Sequence, residues 1–331
     1  MKTFRLVFII LIMSGLIFQG RAHVCWDDLE FKQFSTPEGL PNSMVHQVYQ
    51  DRDGYIWIPT FYGLFRYDGY EVRTYKSNLY TPGLLVNNNV LCVEEDYSHR
   101  LWIGTHEGLC MLDKRTGKMK KLQLDGVSKQ RLNEIHVTKE NRVYLGYIRG
   151  MAYYDEMQDT LALMTRKNCR GDVPESVNIQ TLFEDVNGDL LIGTWKDGLY
   201  RYCIKENTFL HYPPLDEENS VLALFQDSRG VMWIGTSGSG LYKAHFSSDR
   251  KTVSFEGYRH DARNVSSLPS IFIVIVFLIF TNVTDIITNV SKNPISIFAF
   301  GPLEKLFFRY FLIFSTISTS SLWQERLLNY N

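Results

Sequence analysis

The residues of this 331-residue chain with the widest chemical reach are eight histidines, at 23, 46, 99, 106, 136, 211, 245 and 260, and five cysteines, Cys25, Cys92, Cys110, Cys169 and Cys203. No histidine pair has the H-E-x-x-H spacing of a helical zinc site, and no cysteine pair has the C-x-x-C spacing of a zinc knuckle or dithiol centre. His106 and Cys110 stand four apart, across what reads as a bend between strands. The cysteines read as small buried apolar residues, the common fate of a free thiol. Gly235-Thr236-Ser237-Gly238-Ser239-Gly240 has the look of a phosphate cradle, but no Lys-Ser/Thr follows it. Cleaving a glycosidic bond needs two carboxylates on one cavity; here the acidic residues recur at turns, with no singular pair. The chemistry on offer is therefore binding, with no metal and no cofactor expected, and the question becomes which elements present the binding groups.

Those elements repeat. Val45 to Thr60 contains Asp51-Arg52-Asp53-Gly54-Tyr55-Ile56-Trp57-Ile58, and Gly63-Leu64-Phe65 follows. The pattern returns at Leu101-Trp102-Ile103-Gly104-Thr105 with Gly108-Leu109, and in degraded form at Val143-Tyr144-Leu145-Gly146 with Gly150-Met151. It returns again at Asp185 to Thr194 with Gly198-Leu199, and at Asp227 to Thr236 with Gly240-Leu241. The glycine of the Gly-Leu step recurs at 63, 108, 150, 198 and 240. A period in the forties with several short strands per unit is the signature of propeller blades.

Each unit reads as four strands. An apolar first strand leads into an Asp-x-x-Gly hairpin turn, in which Gly54, Gly188 and Gly230 supply positive φ and the Asp side chain bonds the turn's own backbone. The second strand, Tyr55 to Thr60 in the first unit, is apolar on both faces, as suits a sheet stacked between two neighbours. Trp57, Trp102 and Trp233 are expected to fill the gaps between blades. Tight turns at Gly63, Gly108, Gly198 and Gly240 lead to a third strand, and the outer strands run Tyr70 to Tyr75, Met119 to Leu122, Leu161 to Met164, Thr208 to Tyr212 and Thr252 to Tyr258. Phe31 to Phe34 reads as an outer strand with no blade ahead of it, one that would latch a closed ring.

Composition agrees with a folded all-β chain: 45% hydrophobic, 14% aromatic and 21% charged residues, with 35 basic against 36 acidic side chains. Such a balance excludes a disordered chain, a collagen, a disulfide scaffold and a basic nucleic-acid binder. Lys2, Arg5 and the apolar run from Leu6, ending at Gly20-Arg21-Ala22, read as an export signal over residues 1–22. An uncleaved anchor is the rival reading, with an apolar core shorter than the roughly 20 residues of a spanning helix.

The repeat, loosely D-x-x-G-x-[IL]-W-I-G-T-x-x-G-L-x-x-[YF]-[DN], resembles that of the two-component regulator propeller family, and Thr36-Pro37-Glu38-Gly39-Leu40-Pro41-Asn42 is similar to the way such sensors open. The resemblance covers residues 26–268. It implies an all-β propeller sensor held outside the cytoplasm, in the periplasm, whose relatives carry a further β-domain, a membrane helix and a histidine kinase, and whose ligands are oligosaccharides. A homodimer formed through the propellers is the partner it suggests. No phosphoacceptor His box or ATP-binding Asn/Gly box is found in the chain, so no kinase activity is expected of it.

From residue 269 to 331 the pattern stops. Charged residues number 7 of the 61 from Ile271 onward, neither apolar run reaches the roughly 18 residues of a spanning helix, and Thr281, Asn282, Thr284 and Asp285 would be costly at membrane depth. The segment reads as a broken reading frame truncating a longer sensor with five recognisable blades; a short membrane hairpin is the alternative. For ligand contact, residues that break the consensus on the turns after the second strands stand out: Phe61, Tyr62, His106, Glu107, Tyr147, Arg149, Trp195 and Lys196. Sugars are held by aromatic faces beside amide or carboxylate groups. Trp195 leads, because its unit already has Leu191 in the packing-Trp position. The other functions to weigh are a membrane-tethered binding or scaffold protein and a propeller glycoside hydrolase or lyase.

Overall fold

The computed structural model describes residues 31–33, 45–77, 85–124, 130–213, 220–227, 229–237, 239–259 and 297–299. The export signal at 1–22 and nearly all of 269–331 lie outside them, as does Cys25. Among the described residues no helix is long and apolar enough to cross a membrane.

Two short strands, β1 (Phe31–Gln33) and β23 (Ile297–Ala299), pair in parallel with each other. The expected ring latch is therefore not what β1 forms: it is laddered to a strand of the low-charge segment and to no blade. The remaining strands build five consecutive blades. The first holds β2 (Tyr49–Gln50), β3 (Ile56–Thr60), β4 (Gly63–Tyr67) and β5 (Val72–Tyr75); the second β6 (Val90–Glu95), β7 (Arg100–Thr105), β8 (Gly108–Asp113) and β9 (Met119–Leu122). The third holds β10 (Leu132–Val137), β11 (Val143–Tyr147), β12 (Gly150–Asp155) and β13 (Thr160–Leu163). In the fourth, β14 (Arg170–Gly171) pairs in parallel with the outer strand, ahead of β15 (Ile179–Glu184), β16 (Leu190–Thr194), β17 (Leu199–Cys203) and β18 (Thr208–Tyr212). The fifth is β19 (Val221–Gln226), β20 (Met232–Thr236), β21 (Leu241–Phe246) and β22 (Val253–Tyr258). Apart from the added parallel β14, every blade is an antiparallel meander of four strands, and the first strands β6, β10, β15 and β19 touch one another in succession, so they gather around one axis.

The Asp turn does more than reverse the chain. Asp51 Oδ1 accepts from the backbone N–H of Asp53 and Tyr55 at 3.1 and 2.9 Å, while Gly54 takes φ 89°. The second carboxylate oxygen accepts from the Trp57 indole at 2.8 Å. Asp96 repeats this with Trp102 at 2.9 Å and Asp227 with Trp233 at 3.3 Å. A buried indole thus satisfies its one donor inside its own blade while its ring faces the next. Trp57 packs with Val90, Val93, Leu101 and Ile103 of the second blade, and Trp102 with Leu132, Ile135 and Leu145 of the third. Each of these tryptophans, at most 1% exposed, displaces enough water to dominate its boundary. Trp233 is only half-buried, because the blade it belongs to is the last described one.

Close approach explains the Gly of the Ile-Gly-Thr step. A Cβ on Gly146 would lie 2.7 Å from Ile179 Cγ2, and one on Gly193 would lie 2.6 Å from Val221 Cγ1. The next blade's first strand therefore docks directly on that glycine. Backbone donors at the inner edge are capped by the preceding blade, as an edge strand requires: Val93 N–H donates to Gln47 Oε1 at 2.8 Å and Glu95 N–H to the Tyr49 hydroxyl at 3.0 Å. At the turn end, Arg52, Lys139 and Val186 N–H groups donate to Glu95, Glu184 and Gln226 at 2.8, 2.8 and 2.9 Å, stapling the first, third and fourth blades each to the following one.

The fourth boundary departs from the tryptophan scheme. Leu191 fills the packing position, leaving Asp185 without an indole, and Arg250 from the fifth blade's outer hairpin takes its place with Nη2 on Asp185 Oδ2 and Nη1 on Asp189 Oδ2 at 3.0 Å. Lys114 plays a parallel part at the first boundary, 2.7 Å from Asp51, 2.6 Å from Asp53 and 2.9 Å from Glu95. Burial opposes the charge on Lys114, but the three carboxylates outweigh it and hold its pKa above the usual lysine value. Asp53, Glu95 and His99 lie close enough together to suggest a metal ligand set; the ammonium group already occupies the position between the two carboxylates.

Candidate functional site

Alternating strand direction puts the Asp turns and the outer hairpins at one end of the propeller and the turns after each second strand, with the links between blades, at the other. The second end carries the residues that vary. Thr60 Oγ1 donates to Gly63 O at 3.0 Å, and Thr105, Thr194 and Thr236 close their turns in the same way at 2.7 to 2.9 Å. The first three turns hold two residues, whereas the fourth and fifth hold three, from Thr194 to Gly198 and from Thr236 to Gly240. The extra residue places Lys196 in the left-handed region at φ 62°, which costs a non-glycine residue free energy. Ser237 and Ser239 of the glycine-rich stretch lie on such a turn, so it is a blade connection and no phosphate cradle.

Of the consensus-breaking residues, Trp195 is 46% exposed, Phe61 50% and Tyr62 55%, the last two ring to ring at 5.5 Å. His106, Arg149 and Lys196 are exposed at the same end, and Glu107 is half-buried. Tyr147 is different. It is the last residue of β11, 3% exposed, packed among Cys92, Leu132 and Leu145 at the register of the threonines, so the structure places it in the core and off the turn. The third repeat's weak pattern hides this register.

Beside those turns lies a cluster that composition did not single out. The first strands of the second to fifth blades carry a β-bulge at the mouth end, between Val90 and Cys92, Leu132 and Glu134, Ile179 and Thr181, and Val221 and Ala223. The extra residues are Leu91, Asn133, Gln180 and Leu222, with His46 at the corresponding position of the first blade. A bulge re-aims one side chain out of the sheet's alternation. Asn133 Nδ2 donates to Asn178 Oδ1 at 3.0 Å and to Ile179 O at 2.7 Å, and Gln180 Nε2 donates to Asn178 Oδ1 at 2.8 Å. His46 Nε2 meets Asn89 Oδ1 at 3.2 Å. Burial depresses the His46 pKa, the Asn89 bond opposes that shift, and the charge of Arg131 deepens it. The hydrogen bonds run between the first and second blades and between the third and fourth, and the charge of Arg131 reaches His46 from the third blade to the first, which places His46, Asn89, Arg131, Asn133, Asn178 and Gln180 around the mouth of the axis.

The same register organises the turns. Residues just ahead of the first strands accept from the residues that open the turns: His106 N–H donates to Asn89 O at 2.9 Å, Ile148 N–H to Arg131 O at 3.3 Å, Trp195 N–H to Asn178 O at 2.8 Å and Ser237 N–H to Ser220 O at 3.0 Å. Trp195 is thereby tied to the residue that accepts from both Asn133 and Gln180. Among the described residues, Asn133 Oδ1 and Ser220 Oγ are buried with no hydrogen-bond partner, which leaves polar capacity at the mouth. Asp197, in the long turn, accepts from the Tyr200 hydroxyl at 2.6 Å, and the His211 ring stacks on Tyr200 at 4.3 Å. Together these groups offer amide donors and acceptors, exposed aromatic faces and basic side chains.

Deeper along the axis, Glu94 and Glu134 sit close together. Burial pushes the Glu134 carboxyl up to about 8, opposed by the Ile135 N–H. Burial also pushes Glu94 well up, against the Val137 N–H that it accepts, and the Glu134 charge adds to the rise. Since Glu94 caps the inner edge of the third blade, this pair is structural. Burial likewise lowers His136 to about 4, with Lys139 contributing.

Five stacked sheets, four of four strands and one of five, define a β-propeller repeat protein. The two component regulator propeller family model matches residues 39–58, 84–107 and 216–238. No curated protein matches the chain. Among solved structures, it is similar to the extracellular domain of a hybrid two component system of B. thetaiotaomicron at 21% identity and a TM-score of 0.47, over 73% of this chain and 36% of that one. It is also similar to PorZ, a surface component of the type-IX secretion system of Porphyromonas gingivalis, at 15% identity and a TM-score of 0.52, over 69% and 35% of the two chains. A virginiamycin B lyase from Staphylococcus aureus matches at 9% identity and a TM-score of 0.53, over 70% and 74%. The chain spans about a third of the length of the two-component domain it matches.

Proposed function

We propose that this chain is a ligand-sensing propeller of a hybrid two-component regulator, that it works outside the cytoplasm, and that it takes an oligosaccharide at the mouth of its axis. The observation that carries this reading is the coincidence of two component regulator propeller repeats with a mouth built from Asn89, Asn133, Asn178 and Gln180 beside the exposed Trp195. Amides match the paired donors and acceptors of sugar hydroxyls, and an aromatic face packs on a pyranose ring. The inferred role is non-catalytic: the half-buried carboxyl pair Glu94 and Glu134 serves the blade boundary. Signal would pass as a change in blade packing to a kinase half elsewhere.

The test is calorimetric titration of the full chain against a panel of oligosaccharides, with polysaccharide cleavage assayed in parallel. Saturable binding without turnover supports the reading. Turnover of any sugar polymer would move the chain to the propeller hydrolases and lyases. Fractionation of cells that express it should find it outside the cytoplasm.

A further inference from the structure

At the Asp-turn end, the basic residues of the blade boundaries are matched by carboxylates. Lys114 meets Asp51, Asp53 and Glu95, Arg250 meets Asp185 and Asp189, and Arg100 meets Asp96 and Glu156. The mouth end is unlike this. Arg131, Arg149 and Lys196 are exposed there, and none has a carboxylate partner among the described residues. Asp197, the nearest acid in sequence to Lys196, is engaged by Tyr200 at 2.6 Å and lies 3.9 Å from His211.

Arg131 and Arg149 are brought together by the Ile148 N–H to Arg131 O bond. Arg131 lies close enough to His46, on the first blade, for its charge to act on that ring. Arg131 lies two residues ahead of Asn133, Arg149 follows the residue whose N–H bonds Arg131 O, and Lys196 follows the residue whose N–H bonds Asn178 O, so all three stand at the same end as the amide groups of Asn133, Asn178 and Gln180. An exposed guanidinium with no carboxylate partner among the described residues is a ready partner for carboxylate or sulfate oxygens, which it can meet through two parallel hydrogen bonds.

We infer that the ligand of this mouth is an anionic oligosaccharide, whose carboxylate or sulfate groups are received by Arg131 and Arg149 while its hydroxyls meet the amide cluster. This rests on the oligosaccharide reading above and narrows it.

The experiment uses the full chain and three probes of equal length: an oligogalacturonate, a sulfated chondroitin oligosaccharide and a neutral galacto-oligosaccharide. At least one of the two anionic probes binds at least about tenfold more tightly than the neutral one, and its affinity falls with added salt. Which anionic probe wins distinguishes carboxylate from sulfate recognition. The R131A/R149A double variant, whose side chains are exposed and whose melting midpoint should match the parent, loses about tenfold or more in affinity for the anionic probe. The salt dependence of the parent chain gives the same answer without any variant. Equal binding of the neutral probe, with no salt effect and no loss in the double variant, overturns the anionic assignment and leaves the oligosaccharide reading standing. Binding of none of the three overturns both.

Discussion

The two ends of this propeller obey different rules. At the Asp-turn end the same residues return blade after blade, and each has a structural employment: Asp51, Asp96 and Asp227 close their turns and hold an indole, while Glu95, Glu184 and Gln226 staple neighbouring blades. At the mouth end the backbone bonds repeat but the side chains do not. Asn89, Arg131, Asn178 and Ser220 make one and the same main-chain bond with three different kinds of side chain. Where geometry is conserved inside a chain and residue type is not, the side chain is free of the fold and available for recognition.

The largest effect that would sharpen this contrast is at Trp57. W57A empties a fully buried site and orphans Asp51 Oδ2 from its indole donor, and we expect a loss of about 3–5 kcal/mol in a denaturant titration. W233A, at a half-buried ring, should cost about half as much or less; equal costs would mean that a further blade packs on the fifth. Next comes Arg250, which stands in for the absent tryptophan of the fourth blade. R250A leaves the buried Asp185 carboxylate unpaired, at an expected cost of about 2–4 kcal/mol. A change within experimental scatter would break the view that Arg250 substitutes for an indole.

Much of this was legible in the chain itself, and for a physical reason. Blade boundaries, turn positions and the packing tryptophans follow from residue types that do one local job, such as Asp at a turn or Gly where a backbone must approach. The Arg250 clamp was not legible, because its partner Asp185 is 65 residues away and neither residue breaks a pattern where it stands. Asn133 and Gln180 were hidden by their bulges, which shift a strand's alternation by one residue and leave no mark in composition. Tyr147 misled in the opposite direction, since in a degraded repeat an aromatic at the threonine register looks like a residue on a turn. The longer fourth turn, which presents Trp195 and the left-handed Lys196, shows in the sequence only once Thr194 and Gly198 are aligned with Thr60 and Gly63.

A smaller effect tests the axis below the mouth. Burial raises the Glu134 carboxyl to about 8 from an ordinary value near 4.5, so the folded state favours the protonated form. Its burial costs nothing below pH 4.5, and stability falls as pH rises from there toward 8. E134Q keeps the shape and removes the charge, so it should flatten stability across that window and leave the variant more stable than the parent at pH 8. An unchanged pH profile would mean that this carboxyl is solvated and belongs to the mouth, moving the border between structural and recognition residues inward.

The smallest effect on stability carries the most weight for function. Trp195 is 46% exposed, its fold contribution is the backbone bond to Asn178 O, and Leu191 already fills the packing position of its blade. W195A should therefore leave the unfolding midpoint within about 0.5 kcal/mol of the parent. Affinity for a bound oligosaccharide should nevertheless fall by about tenfold, the worth of one aromatic face against a sugar ring. The paired measurement on one variant separates the two rules: a mouth residue loses binding without stability, whereas Trp57 loses stability first. Were W195A to destabilise the fold by several kcal/mol, the fourth blade would need its second aromatic as structure, and the division between the ends would fail where it was drawn most sharply.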